Sequence, residues 1–209
     1  MSRDGVTSDE IKWNVVIGKC VENGRIEDAV EMFRKMQKMG YKPDEITISS
    51  ILPACSLSKS LRTGKEIHCY VFRNWEVGNL TNTTALVDMY AKCGDLSLSR
   101  NFFDVMPIKN VFPWNTIIFA NAMHMNGKET LFLVKKMLQS MVKLNSVTFI
   151  CVLSACSHSV LVEEGVQIFN SMSRDHLVEP DATHYSLWSI SITVLVASTR
   201  HICLSRECL

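Results

Sequence analysis

The chain has 209 residues and 47% apolar content, enough for one or two ordinary domains with a buried core. Its 22 basic and 21 acidic side chains leave a net charge of +1, so any nucleic-acid contact must rest on local groups rather than on a global positive field. The longest apolar stretch, Ile190 to Ala197, is far short of the roughly 20 residues that span a bilayer, and Met1-Ser2-Arg3-Asp4-Gly5 does not open a signal peptide, so no membrane partner is expected.

Shifting the chain against itself by 101 residues brings identities into register without gaps. Trp13-Asn14 meets Trp114-Asn115, Lys35-Met36 meets Lys136-Met137, and Thr47 meets Thr148. Ala54-Cys55-Ser56 meets Ala155-Cys156-Ser157, and Gly64 meets Gly165. Shorter offsets of 35 and 31 lie inside the long one, so the period divides into units of 35, 35 and 31 residues.

In chain order, residues 1–9 close an incomplete unit, with Gly5 and Asp9 in the places of Gly40 and Asp44. Residues 10–44 form the first complete unit. Trp13, Val16, Ile17 and Cys20 make one apolar stripe at helical spacing, and Asn23-Gly24 breaks it with a turn signal. A second helix carries Ile26, Ala29, Val30, Phe33 and Met36 on one face and ends near Gly40 and Pro43. The next units span 45–79, 80–110, 111–145 and 146–181. A lone helix pair cannot cover its own stripes, so neighbouring pairs must stack: an all-α, right-handed α-solenoid is expected.

Several positions depart from the repeat. Met125 stands where Gly24 and Gly94 make the hairpin turn, with Gly127 two residues on, so that turn is expected to be remodelled. Leu144 replaces Pro43, and Pro113 falls in the first turn of its helix, where a missing N–H costs little. From 182 to 209 the pattern degenerates. Thr183-His184-Tyr185-Ser186 begins another unit, but the run from Ser189 to Val196 is β-branched and suits a strand better than a helix. A frameshift or retained intron would account for the break.

The eight cysteines contain no CxxC pair: Cys151/Cys156 and Cys203/Cys208 are each separated by four residues, and Cys20, Cys55, Cys69 and Cys93 sit singly inside apolar runs, which reads as small buried hydrophobes in a reducing compartment. No histidine is followed by Glu two residues on. The His-x-Glu and Cys-x-x-Cys strings of a zinc deaminase are therefore absent, as are nucleophile triads and phosphate-cradling glycine loops. The chain reads as non-catalytic, with no cofactor and no metal.

The strings Trp13-Asn14-Val15-Val16-Ile17, Asn23-Gly24-Arg25, Met32-Phe33 and Gly40-Tyr41-Lys42-Pro43-Asp44 resemble a pentatricopeptide repeat. Leu52-Pro53-Ala54-Cys55 with Gly64-Lys65-Glu66-Ile67-His68 resembles the long repeat of the plant subclass that alternates three repeat types. Tyr90-Ala91-Lys92-Cys93-Gly94-Asp95, followed by Phe102-Phe103-Asp104-Val105-Met106-Pro107, is similar to its short repeat. The resemblance covers about residues 5 to 186. It implies a truncated piece of an organelle protein, mitochondrial or chloroplastic, that binds single-stranded RNA at one base per repeat. In that subclass the RNA is mostly guided to cytidine-to-uridine editing, with other editing factors as possible partners.

The resemblance also implies which residues read bases: the fifth and last of each unit. These are Asn14 and Asp44, Ser49 and Asn79, Thr84 and Asn110, and Asn115 and Asn145; the fifth unit has Ile150 and Asp181. Asn14/Asp44 is expected to prefer uracil, Thr84/Asn110 adenine and Asn115/Asn145 cytosine, whereas Ser49/Asn79 lies in a long-type repeat with less dependable readout. The residue three before each fifth position, namely Ile11, Ile46, Phe112 or Val147, is expected to wedge between stacked bases; Thr81 breaks that series. Every last position is Asp or Asn just before a helix, which is also what an N-cap requires, and the residues alone favour capping. A peptide-binding scaffold and a non-functional truncated product are the competing readings.

Overall fold

The computed structural model describes residues 8–74, 80–190 and 193. Ten helices run in order: α1 (Ser8–Glu22), α2 (Ile26–Lys38), α3 (Glu45–Ser58), α4 (Leu61–Asn74), α5 (Leu80–Lys92), α6 (Leu96–Val105), α7 (Val111–Met123), α8 (Gly127–Gln139), α9 (Ser146–His158) and α10 (Val162–His176). Residues 182–190 are also helical, and no strand occurs among the described residues.

The chain divides into two compact units, Met1–Ile108 and Lys109–Leu209. In the first, α1, α3 and α5 pack in series, and α2, α4 and α6 each lie against the helix that precedes them. In the second, α7 packs on α8 and α9, and α9 packs on α10. This is the stacking that single-striped helix pairs require, since each pair's apolar face is covered only by the next.

The stripe of α2 is buried as its spacing predicts: Ala29, Val30, Phe33 and Met36 join Ile48, Ile51, Leu52 and Ile67 in the first unit's core. Among the described side chains of α1 only Ile17 is fully buried, and Val16 is exposed. α1 packs against α2 and α3, so the part of its stripe facing away from them stays open. The cysteine expectation holds for Cys55, Cys151 and Cys156, whose burial pushes the thiols up to about 12, 11 and 11. It fails for Cys69, which is exposed because it lies on the solvent face of α4.

The hairpin turn at Met125 is not remodelled. Gly24 takes a left-handed φ of 70°, its N–H reaching Val21 O at 2.9 Å and the next N–H reaching Cys20 O at 2.8 Å. Met125 adopts φ 58° with the same two bonds, to Ala122 O at 3.1 Å and from Asn126 to Asn121 O at 2.9 Å. Met141 at φ 59° likewise copies Gly40 at φ 86°. The satisfied carbonyls outweigh the Cβ penalty of roughly 1–2 kcal/mol. Gly127 serves packing instead: a Cβ there would run into Ser159 and Leu161.

The strand expected over residues 189–196 is also corrected where it can be read. Ser189, Ile190 and Thr193 are helical, and the remainder lies outside the described residues. Asp181 caps this last helix by accepting from the Thr183 and His184 N–H groups at 2.9 and 3.2 Å. Phe169 stacks on Trp188 at 5.0 Å between centroids and meets Tyr185 edge-on at 5.3 Å. Cap and packing together override β-branched propensity.

Candidate nucleic-acid interface

The candidate base-reading residues are set by the second turn of the first helix of each repeat and by the residue that precedes the next repeat's first helix. Asp44 caps α3 and Asn145 caps α9, each with an extended backbone and a reciprocal capping box to the residue three on. Asp44 Oδ1 accepts the Thr47 N–H at 2.8 Å, and Thr47 Oγ1 accepts the Asp44 N–H at 3.1 Å. Asn145 Oδ1 accepts the Thr148 N–H at 3.0 Å, and Thr148 Oγ1 accepts the Asn145 N–H at 3.2 Å.

Both caps also hold the fifth residue of their own repeat. Asn14 Nδ2 donates to Asp44 Oδ1 and Oδ2 at 3.0 and 2.9 Å, and its Oδ1 accepts from Thr47 Oγ1 at 2.5 Å. In the fourth repeat Asn115 Nδ2 donates to Asn145 Oδ1 at 3.1 Å, and its Oδ1 accepts from Thr148 Oγ1 at 2.6 Å. The two constellations lie 101 residues apart and differ in one group, carboxylate against amide. Each cap side chain therefore holds both the start of the following helix and the fifth-position asparagine of its own repeat.

The other expected positions behave differently. Ser49 is exposed and its hydroxyl donates to Ile46 O at 3.0 Å within its own helix. Asn79 lies outside the described residues. Thr84 is half-buried in the first compact unit, and Asn110 is exposed in the second, where it caps α7 through the Phe112 N–H at 3.0 Å. Pro113 occupies the place of Thr47 and Thr148 after this cap and can supply neither N–H nor hydroxyl. At the fifth unit Ile150 has no polar group to offer, and fully buried His184 replaces the threonine. Its Nδ1 lies 2.7 Å from Asp181 Oδ1 and its Nε2 lies 3.1 Å from Ser146 O. The His184 backbone N–H, and then its ring, hold the Asp181 carboxyl below its ordinary value.

The four candidate wedge residues stand in water: Ile11 is 53% exposed, Ile46 61%, Phe112 70% and Val147 52%. Each sits in the first turn of a first helix, three residues before the fifth position and so on the same helix face. Large apolar side chains so exposed gain little there from the fold itself. Thr47 and Thr148, both fully buried, are the residues that sequence reasoning passed over. Their identity across the 101-residue period was visible, but a buried threonine behind a cap has no signature apart from the capping box itself.

A model of the PPR repeat family matches residues 8–56, and a PPR repeat model matches residues 83–111 and 147–177, together more than half of the chain. The chain belongs to the pentatricopeptide repeat family. It is 44% identical over 189 residues to a chloroplastic pentatricopeptide repeat-containing protein of Arabidopsis thaliana, covering 85% of this chain and 21% of that protein. A mitochondrial pentatricopeptide repeat-containing protein of the same plant is 40% identical over 183 residues, covering 87% of this chain and 32% of that protein. The chain thus spans between a fifth and a third of these relatives' length. Its fold matches the crystal structure of the pentatricopeptide repeat protein PPR10 in complex with an 18-nt psaJ RNA element, with a TM-score of 0.75 at 18% identity over 87% of this chain and 27% of that one. It also matches the PPR domain of Arabidopsis thaliana protein-only RNase P 1 in complex with tRNA, with a TM-score of 0.68 at 12% identity over 89% of this chain and all of that domain.

Proposed function

We propose that this chain is the RNA-recognition part of a longer organellar protein, that its repeats read single-stranded RNA one base at a time, and that its own role in editing or processing is non-catalytic. The carrying observation is the Asn–Asp/Asn–Thr constellation that recurs with the 101-residue period. The crystal structures of PPR10 with an RNA element and of a PPR domain with tRNA support RNA as the ligand. Relatives named as chloroplastic and mitochondrial support an organelle. The alternation of 35-, 35- and 31-residue units supports the plant subclass with long and short repeats, and through it cytidine-to-uridine editing.

The two constellations support opposite base preferences on simple donor–acceptor grounds. Asp44 is acceptor-only, which suits the N3–H of uracil and repels the N3 lone pair of cytosine. Asn145 has its Oδ1 committed to Thr148, so Nδ2 is the group it turns to a ligand, and this suits cytosine N3. Ile11, Ile46, Phe112 and Val147 would support the faces of adjacent bases.

Fluorescence anisotropy with the full 209-residue chain and single-stranded oligonucleotides differing at one base tests this reading. Asp44→Asn is expected to turn a uracil preference into a cytosine preference at the base facing that repeat. Asn14→Ala combined with Asn115→Ala is expected to abolish selectivity. Each position should contribute a few-fold to about tenfold, since a net hydrogen bond is worth about 0.5–1.5 kcal/mol. Tight, selective binding by the double variant would overturn the assignment in favour of a peptide scaffold or an inactive product.

A further inference from the structure

We infer that Thr47 and Thr148 are positioning residues for base selection: each pins the oxygen end of the Asn14 or Asn115 amide and so holds the amide plane in place, without touching RNA itself. The inference rests on the RNA reading proposed above and adds a specificity determinant from the neighbouring repeat.

Asparagine's Oδ1 and Nδ2 are nearly equal in shape, so only hydrogen-bond partners decide which way the amide points. At the second site that decision can be traced to a group that cannot flip. The Thr148 backbone N–H is a donor only, so Asn145 must turn Oδ1 toward it at 3.0 Å. The same Oδ1 then attracts Asn115 Nδ2 at 3.1 Å, leaving Asn115 Oδ1 to accept the Thr148 hydroxyl at 2.6 Å. At the first site the Asp44 carboxylate has no proton to give, so Asn14 must turn Nδ2 toward it, and the Thr47 hydroxyl closes the other end at 2.5 Å.

Both threonines are fully buried, so neither can meet a base directly. Their hydroxyl protons have two candidate acceptors, the fifth-position amide oxygen and the cap oxygen at 2.8 or 2.9 Å. The cap oxygen is already held by the backbone N–H and by the amide, so the amide oxygen is the acceptor with the greater need. Remove the hydroxyl and the asparagine keeps its Nδ2 tether to the cap but loses the hold on its oxygen end, so the amide plane can rock about its last torsion. A rocking amide presents its polar edge to a base at a variable angle, which costs discrimination more than affinity.

The same position differs in the third and fifth repeats. Pro113 behind Asn110 has neither N–H nor hydroxyl, and His184 behind Asp181 turns its second nitrogen to Ser146 O rather than to a fifth-position amide. The threonine place thus separates repeats able to pin an asparagine from those that are not.

The experiment compares the full chain with Thr47→Val, Thr47→Ser, Thr148→Val and Asn14→Ala, with anisotropy on oligonucleotides carrying uracil or cytosine opposite the first repeat and likewise opposite the fourth. Thr47→Val is expected to bring the uracil-over-cytosine ratio close to unity while affinity for the preferred oligonucleotide falls no more than about threefold, and Thr47→Ser is expected to restore the ratio. Thr148→Val repeats the test at a separate site and decides the matter should Thr47→Val fail to fold. In the RNA-free protein, the side-chain amide protons of Asn115 are expected to exchange faster in Thr148→Val than in the parent by NMR. Unchanged base ratios in the valine variants, with Asn14→Ala losing its ratio, would overturn the positioning role and leave the RNA reading standing. An unchanged ratio in Asn14→Ala would remove the RNA reading, and the positioning role with it.

Discussion

Val160 holds a β-branched side chain at φ 58°, in the left-handed region where L-residues pay for Cβ contact with the following carbonyl. Lys59 has the same conformation at φ 51°, one 101-residue period earlier, so the turn belongs to the repeat and not to this residue. Relieving a cost of roughly 1–2 kcal/mol, against about 0.5–1 kcal/mol for the added freedom of glycine when unfolded, Val160→Gly should stabilise the chain by about 0.5–1 kcal/mol. A higher urea midpoint at unchanged slope is the expected reading; an unchanged or lower midpoint would mean the turn bears no strain. Met125 was legible as a departure from Gly24, but its outcome was not. Sequence offers the steric penalty, while the carbonyls that the turn must satisfy appear only once the helix ends are placed. Asp44 and Asn145 show the converse, because their N-cap role was plain from the residue types alone. What could not be read was that each cap oxygen also receives the amide of a residue 30 positions earlier.

Between elements, the close approach of α8 to the turn after α9 rests on a glycine. Gly127 donates its N–H to Ser159 Oγ at 3.1 Å, and Ser159 donates in turn to Met125 O at 3.0 Å. A Cβ at Gly127 would lie 2.6 Å from Ser159 Cβ and 2.8 Å from Leu161 Cδ1, on a side chain too short to swing away. Alanine gains up to about 1 kcal/mol in helix propensity, but overpacking of this kind costs about 1–3 kcal/mol, so Gly127→Ala should lower stability by about 1–2 kcal/mol. Thermal unfolding would show this as a reduced midpoint; a raised midpoint would mean that α8 can move off α9 freely. The stripe of α2 was readable because its period of 3.6 matches a single buried face. The stripe of α1 was over-read at Val16, because burial depends on whether a neighbouring helix covers that side. The segment after Asp181 was misread for a related reason: β-branched propensity is weak where a cap and an aromatic contact with Phe169 favour a helix.

For the whole molecule, a net charge of +1 limits how much of any RNA affinity can come from phosphates. Each phosphate neutralised on a single strand contributes about −0.7 to the slope of log affinity against log salt, so a slope no steeper than about −2 is expected, from roughly three contacts. Titrations at several salt concentrations would measure it, and a slope near −5 or beyond would show that backbone charge and not base contact dominates. The sequence by itself determined the 101-residue period, the helix pairing and the polar residue near the start of the first helix in four of the five repeats. These follow from periodicity and turn chemistry, which act over a few residues. Only the tertiary structure decided that a fifth residue, a cap and a buried threonine meet, because helix stacking brings together groups some thirty positions apart. Given that stacking, Thr47, Pro113, Thr148 and His184 differ in what they can offer across it.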